Sequence, residues 1–144
     1  MSGDISAVQQ PRILLEERFE LGECPNWDGD NSRLYWADII GRKIHALDIE
    51  TGQRHSWSFE SEVGCFGLTD HGRLVVALKS DIVLFDPKTG EREKLAAVDS
   101  DNDMSRTNDG KIGPDGAFWV GTMDQNIDKQ PVASLYRVTG KGQV

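Results

Sequence analysis

Residues Asn26–Gln53 read N-W-D-G-D-N-S-R-L-Y-W-A-D-I-I-G-R-K-I-H-A-L-D-I-E-T-G-Q, and the order of features in this stretch decides the fold. A polar turn leads into an apolar strand, Leu34-Tyr35-Trp36. A gap and a second strand from Lys43 to Leu47 follow, and the stretch closes on Thr51-Gly52. The same order returns in Phe66–Glu91, with strands at Leu74-Val75-Val76 and Ile82 to Phe85 and a closing Thr89-Gly90. It returns again from Gly110 to Gln143, with Phe118-Trp119-Val120, Ser134 to Val138 and Thr139-Gly140. Asp-Gly and Thr-Gly supply positive φ at little cost, so antiparallel strands can reverse tightly. The strand after each polar turn is apolar on both faces, as in a sheet sandwiched between neighbours. A repeat of about forty to fifty residues is the size of one four-stranded propeller blade. The expected fold is therefore all-β, a β-propeller with about three blades in this chain. A β-sandwich with regularly spaced turns is the alternative, but it does not explain why one order of turn, strand, gap, strand and Thr-Gly recurs. Propellers close with about four to eight blades, so three leave open faces and unpaired strand edges. A second half-propeller or a second copy is the expected partner.

Outward from the repeats, residues 1–11 read as a flexible lead-in and residues 12–144 as the propeller unit. The stretch L-L-E-E-R-F-E (Leu14–Glu20) is short enough to be a helical turn or a strand. The chain has 144 residues and a formal net charge of −8. That charge argues against a nucleic-acid partner and against an anionic membrane surface. No apolar run approaches a bilayer span, and the start lacks a basic segment followed by an apolar one, so neither a membrane anchor nor a signal peptide is expected. Cys24 and Cys65 have no metal-site spacing and read as reduced thiols of a cytoplasmic protein. His45, His55 and His71 have no partner motif and fit surface or structural roles.

The stretch D-S-D-N-D-M-S-R-T-N-D-G (Asp99–Gly110) spaces three aspartates as a calcium loop would. Such a loop needs Gly at its sixth position and a bidentate Glu at its twelfth; Met104 and Gly110 stand there, so the aspartates read as a solvated turn. Two other places could carry chemistry. Glu23 sits in L-G-E-C-P-N-W, expected as a tight loop before the first strand, bounded by Gly22 and Pro25. Ser105–Lys111 gathers a guanidinium, an amide and a carboxylate in Arg106, Asn108 and Asp109. In an extended segment Arg106 and Asn108 share a side and Thr107 takes the other. Arg offers a planar fork for oxygens, and Asn offers a donor and an acceptor. A plain capping turn at Asn108-Asp109 explains the same residues equally well.

L-G-E-C-P-N-W-D resembles the G-E-[SG]-P-x-W segment of the SMP-30/gluconolactonase/regucalcin family. S-R-T-N-D-G-K-I-G-P-D-G-A-F-W-V-G-T-M resembles that family's R-x-N-D-G-K-x-x-P-x-G-x-x-x-x-G-T-M segment. The resemblance runs from about Arg12 to the end and implies a six-bladed propeller that hydrolyses sugar lactones at a divalent metal. It implies that Glu23 is a metal ligand and that Arg106, Asn108 and Asp109 serve substrate binding. The cofactor implied is Ca²⁺, or alternatively Mg²⁺, Mn²⁺ or Zn²⁺, and the substrate is a small sugar lactone such as an aldono-1,5-lactone. Family chains are about twice as long. Their remaining metal ligands, an Asn and an Asp that is also the acid/base, have no counterpart here, so no catalytic residue is expected in this chain. After G-T-M, some members carry an acidic substrate contact where Asp124-Gln125-Asn126 stands. The alternative function is a non-catalytic half-propeller that self-associates and binds a cation or polyol. A propeller of the strictosidine-synthase type fits less well, because Glu23 and R-T-N-D-G have no place in it.

Overall fold

The computed structural model describes residues 10–144. Most of the lead-in expected at residues 1–11 lies outside the described residues. Every regular element described is a strand, in three antiparallel sheets. The first holds β1 (Gly22–Asp28), β2 (Arg33–Asp38), β3 (Lys43–Asp48) and β4 (Arg54–Ser58) in sequence order. The second holds β5 (Val63–Leu68), β6 (Leu74–Leu78), β7 (Asp81–Phe85) and β8 (Arg92–Ala97). The third holds β9 (Ser105–Ile112), β10 (Phe118–Asp124) and β11 (Leu135–Val138). This is the repeat of the sequence made physical, a partial propeller of three blades.

The middle blade explains its own composition. Within L-V-V-A-L of β6, Leu74, Val76 and Leu78 enter one core with Tyr35, Ala37, Ile44 and Ala46 of the first blade. Val75 and Ala77 point the other way, into a second core with Phe118, Val120 and Val138 of the third. A continuous apolar run is thus a period-two strand buried on both faces. Phe66 and Phe85 are the largest fully buried side chains.

The turns follow the expected chemistry with two shifts. Gly52 (φ 72°) and Gly90 (φ 79°) close their hairpins alike, each N–H donating at 2.8 Å to the carbonyl of Asp48 or Asp86. In the third repeat the left-handed residue is Gly142 (φ 74°), two positions beyond Thr139-Gly140. There the Thr139 N–H donates to the Gln143 carbonyl four residues on, whereas the Asp48 and Asp86 N–H groups reach five residues on to Gln53 and Glu91, so this turn is one residue tighter. In the first polar turn Ser32 (φ 48°) takes the left-handed conformation in place of Gly29. Asp28 explains this, because its carboxylate caps the N–H groups of Asp30 and Asn31 and sets the turn's course.

Leu14–Glu20 forms neither helix nor strand. It runs as irregular chain along the outer face of the first blade. Phe19 packs edge-on against Trp36 at 5.6 Å, and Glu17 pairs with Arg54 at 2.6 Å. The buried Asp38 carboxylate accepts the N–H groups of Glu20, Leu21 and Gly41. Burial pushes its pKa up, and these three donors outweigh that and hold it below the usual value. His45 is buried and stacked on Trp36, and His55 meets Asp48 at 3.2 Å, so both are structural.

Asp99, first of the aspartate run, knots the third blade. Its carboxylate accepts Ser105 Oγ at 2.7 Å, Thr122 Oγ1 at 2.8 Å and Tyr136 Oη at 2.7 Å, one donor from each of the blade's first two strands and one from β11. Burial raises its pKa, but the hydroxyls win and the net shift is downward. The stabilisation is therefore complete above the unfolded carboxyl pKa and lost as pH falls through the folded one. Tyr136→Phe should cost about 2 kcal/mol at neutral pH, as for a hydrogen bond to a charged group. Urea midpoints of the two proteins should converge as the pH is taken below the folded Asp99 pKa; a gap that persists there would assign the cost to packing.

Candidate functional site

The first strand of each blade, β1, β5 and β9, lies innermost, and each carries a bulge. In β1 two residues, Cys24 and Pro25, face the single residue Trp36 between the Glu23–Ala37 and Asn26–Tyr35 pairs. In β5 Gly64 is the extra residue between Val63 and Cys65. In β9 Asn108 and Asp109 face only Gly121 between the Thr107–Thr122 and Gly110–Val120 pairs. A bulge bends its strand and turns a side chain away from the ladder, which is why bulges gather at functional sites. Glu23 is therefore not in a loop before the first strand, as its Gly and Pro neighbours suggest. It is inside β1, because Pro25, which has no N–H to give a ladder, is accommodated at the bulge.

The three inner strands wall one groove of about 710 Å³. Glu23 comes to it from β1, and Asn108 and Asp109 from β9; Gly64 and Phe66 of β5 lie between them. Asp109 is exposed, and its Oδ1 accepts its neighbour Gly110 N–H at 2.8 Å. Arg106 is not on the groove wall. It is 8% exposed and donates from Nη1 to Thr107 O at 2.8 Å and to Asn108 Oδ1 at 3.4 Å. Burial draws its pKa down, with the charge of Glu62 opposing. Arg106 and Asn108 thus share a side, as the extended reading requires, and Arg106 orients the Asn108 amide. Thr107 takes the opposite side, fully buried, with Oγ1 donating to Leu78 O at 2.8 Å and its N–H donating to Lys79 O at 2.9 Å. Those bonds tie the third blade to the second at the level of the groove.

Asp124 is 3% exposed, and its carboxylate is taken up by the N–H groups of Asn126 and Gln130, both at 2.9 Å, and by Asn126 Nδ2 at 2.7 Å. The two backbone donors hold its pKa below the usual range. This carboxylate shapes its own loop, which accounts for its place after G-T-M without a substrate.

Glu23, Asn108 and Asp109 offer hard oxygen donors, which suit a cation such as Ca²⁺ or Mg²⁺ by type. They do not suffice by number, since among the described residues no three His, Cys, Asp or Glu side chains gather as a metal site. Two groove residues were not singled out from sequence. Asn26 sits one residue past the bulge, and Gly64 lets β5 approach β9. The only sequence sign of Gly64 is a glycine in a strand otherwise apolar.

This geometry agrees with what the chain is similar to. Residues 21–144 match the family described as SMP-30/Gluconolactonase/LRE-like region, and the chain belongs to that family. It is 40% identical over 122 residues to a 6-deoxy-6-sulfogluconolactonase of Pseudomonas putida, covering 85% of this chain and 40% of that one. It is 33% identical over 114 residues to regucalcin of Xenopus laevis, covering 79% and 38%. Among solved structures, a calcium-binding protein, regucalcin, from Agrobacterium tumefaciens superposes with a TM-score of 0.84 at 29% identity, covering 92% of this chain and 44% of that one. The chain therefore spans less than half the length of these relatives.

A Cβ added at Gly64 would stand 2.5 Å from Thr107 Oγ1 and 2.6 Å from Thr107 O. Gly64→Ala should cost roughly 1–3 kcal/mol, the usual penalty of overpacking a filled contact. Chemical denaturation would show it, and the loss should persist in the double variant with Thr107→Ser, because serine keeps the Oγ and the carbonyl that crowd the site; a loss that vanished there would put the obstacle on the Thr107 methyl.

Proposed function

We propose that this chain is the N-terminal half of a six-bladed propeller, residues 12–144, that hydrolyses small sugar lactones of the aldono-1,5-lactone class. The observation that carries the reading is the convergence of Glu23 with Asn108 and Asp109 on one groove from two different blades. The names of the relatives, a gluconolactonase and regucalcin, support the chemistry. The description of one of them as calcium-binding supports a divalent cation. Glu23 would hold that cation together with oxygen ligands from the remaining blades. When bound, the cation supplies polarisation of the lactone carbonyl.

The chain's own residues bind and orient. Asn108, its Oδ1 engaged by Arg106, presents its amide donors toward a ring hydroxyl. Asp109 accepts from another hydroxyl through the carboxylate oxygen that Gly110 does not cap. Holding the ring in one pose is a large part of what such a site contributes to rate. The water-activating carboxylate belongs to the remaining half. With that half supplied, the assembled protein should open glucono-1,5-lactone and stop when chelator is added. Glu23→Gln should lower the activity by at least about 10- to 100-fold at limiting cation, the range that loss of a hydrogen-bond partner behind a metal ligand already gives. Full activity in chelator would refute the metal, and no activity in the complete particle would refute the lactonase.

A second reading rests on a different observation. Trp119 is 39% and Leu135 70% exposed on the third blade. Two copies closing head to tail through such surfaces would make a six-bladed ring that binds a cation or polyol without a base. A native particle near twice the chain mass, with no lactonase activity, would favour it.

A further inference from the structure

Cys24 has no part in the reading above, yet it stands in the bulge between Glu23 and Asn26. Its φ is 55°, in the left-handed region that a residue with a Cβ rarely adopts, and the ring of Pro25 crowds it further. Something must hold it there. β1 and β5 belong to different sheets, so no strand ladder joins them. Side chains join them instead. The Phe66 N–H donates to Cys24 Sγ at 3.4 Å, and the thiol donates to Phe66 O at 3.5 Å. Asn26 Nδ2 donates to the same Phe66 O at 3.4 Å and to Cys24 O at 3.1 Å, and lies 3.5 Å from Cys24 Sγ. One residue of β5 is thus gripped through both its N–H and its C=O.

We propose that Cys24, assisted by Asn26, is the positioning residue for Glu23. Its thiol clamps the β1 bulge onto Phe66 of β5 and so fixes where the Glu23 carboxylate stands in the groove. The inference rests on the reading of Glu23 as a cation-holding group. Chemistry favours sulfur here. A neutral thiol can accept and donate at once, as both contacts to Phe66 require. The longer C–S bond and larger sulfur also span contacts of this length, whereas a serine hydroxyl would need the strands to draw together. Glycine would relieve the left-handed φ and remove the clamp. It therefore separates the two possible causes of the geometry.

The test uses the full chain as wild type, Cys24→Ser, Cys24→Gly and Glu23→Gln. Amide exchange is followed by NMR, and Mn²⁺ is then titrated while the broadening of the Glu23, Asn108 and Asp109 amide signals is read. Cys24→Gly should speed exchange at the Phe66 amide by about fivefold or more, the factor that one lost hydrogen bond gives. The core amides of Val76 and Phe85 should be unchanged. The same variant should raise the Mn²⁺ concentration for half-broadening by a similar factor, and Cys24→Ser should restore much of both. Glu23→Gln should raise that concentration while leaving Phe66 exchange alone. Exchange and Mn²⁺ response both unchanged in Cys24→Gly would overturn the proposal. So would faster exchange with an unchanged Mn²⁺ response, since the clamp would then not position Glu23. An Mn²⁺ response in Glu23→Gln equal to wild type would remove the cation reading itself, and Phe66 exchange would then decide on the clamp alone.

Discussion

The two-sided burial of the middle blade is the constraint on which the rest depends. Its strands β6 and β7 send alternate side chains into two cores, one shared with the first blade and one with the third. Neither core exists within a single blade, so the hydrophobic driving force that forms each sheet is the same one that stacks the sheets. The blades therefore splay from a common inner edge. At that edge the blades come close enough to need Gly64 against Thr107 and Gly110 against the Cys65 thiol. At the outer edge they part, and β4 and β8 carry polar, largely exposed side chains.

That convergence makes the groove. Inner strands belong to different sheets and leave backbone groups without ladder partners, a cost that must be met by other donors and acceptors. Side chains meet it here. Cys24 and Asn26 serve Phe66, and Thr107 serves Leu78 and Lys79. The same segments carry the bulges that turn Glu23, Asn108 and Asp109 toward the open space. Joining the blades and aiming the polar side chains are one structural problem with one solution. Three acidic groups away from the groove serve local order: Asp38, Asp99 and Asp124 each collect two or more donors.

Much of this was legible in the residues. The recurring order of turn, strand and Thr-Gly located the neighbourhoods of six strands, β2, β3, β6, β7, β10 and β11, because period-two apolar runs and left-handed turn residues act locally. The Arg106–Asn108 alternation held, because it is a property of any extended segment. Where local reading failed, a longer-range contact had decided the matter. Leu14–Glu20 looked like a regular element and is irregular, since Phe19, Glu17 and the Glu20 and Leu21 amides are fitted to side chains of the first blade. Glu23 looked like a loop residue, because Gly and Pro mark loops more often than bulges. Cys24 read only as a reduced thiol, because its hydrogen-bond partner lies 42 residues away.

By itself the sequence determined the class of fold, the number of blades in the chain and the stretches that carry the polar groups, because strand period, turn chemistry and a specific motif are all local in the chain. The tertiary structure decided which of those groups meet. Glu23 and Asn108 come to one groove, Arg106 is buried beside it, and Asp124 is withdrawn into its own loop, because bulge position and the packing of one sheet on the next are set by contacts between residues far apart in sequence.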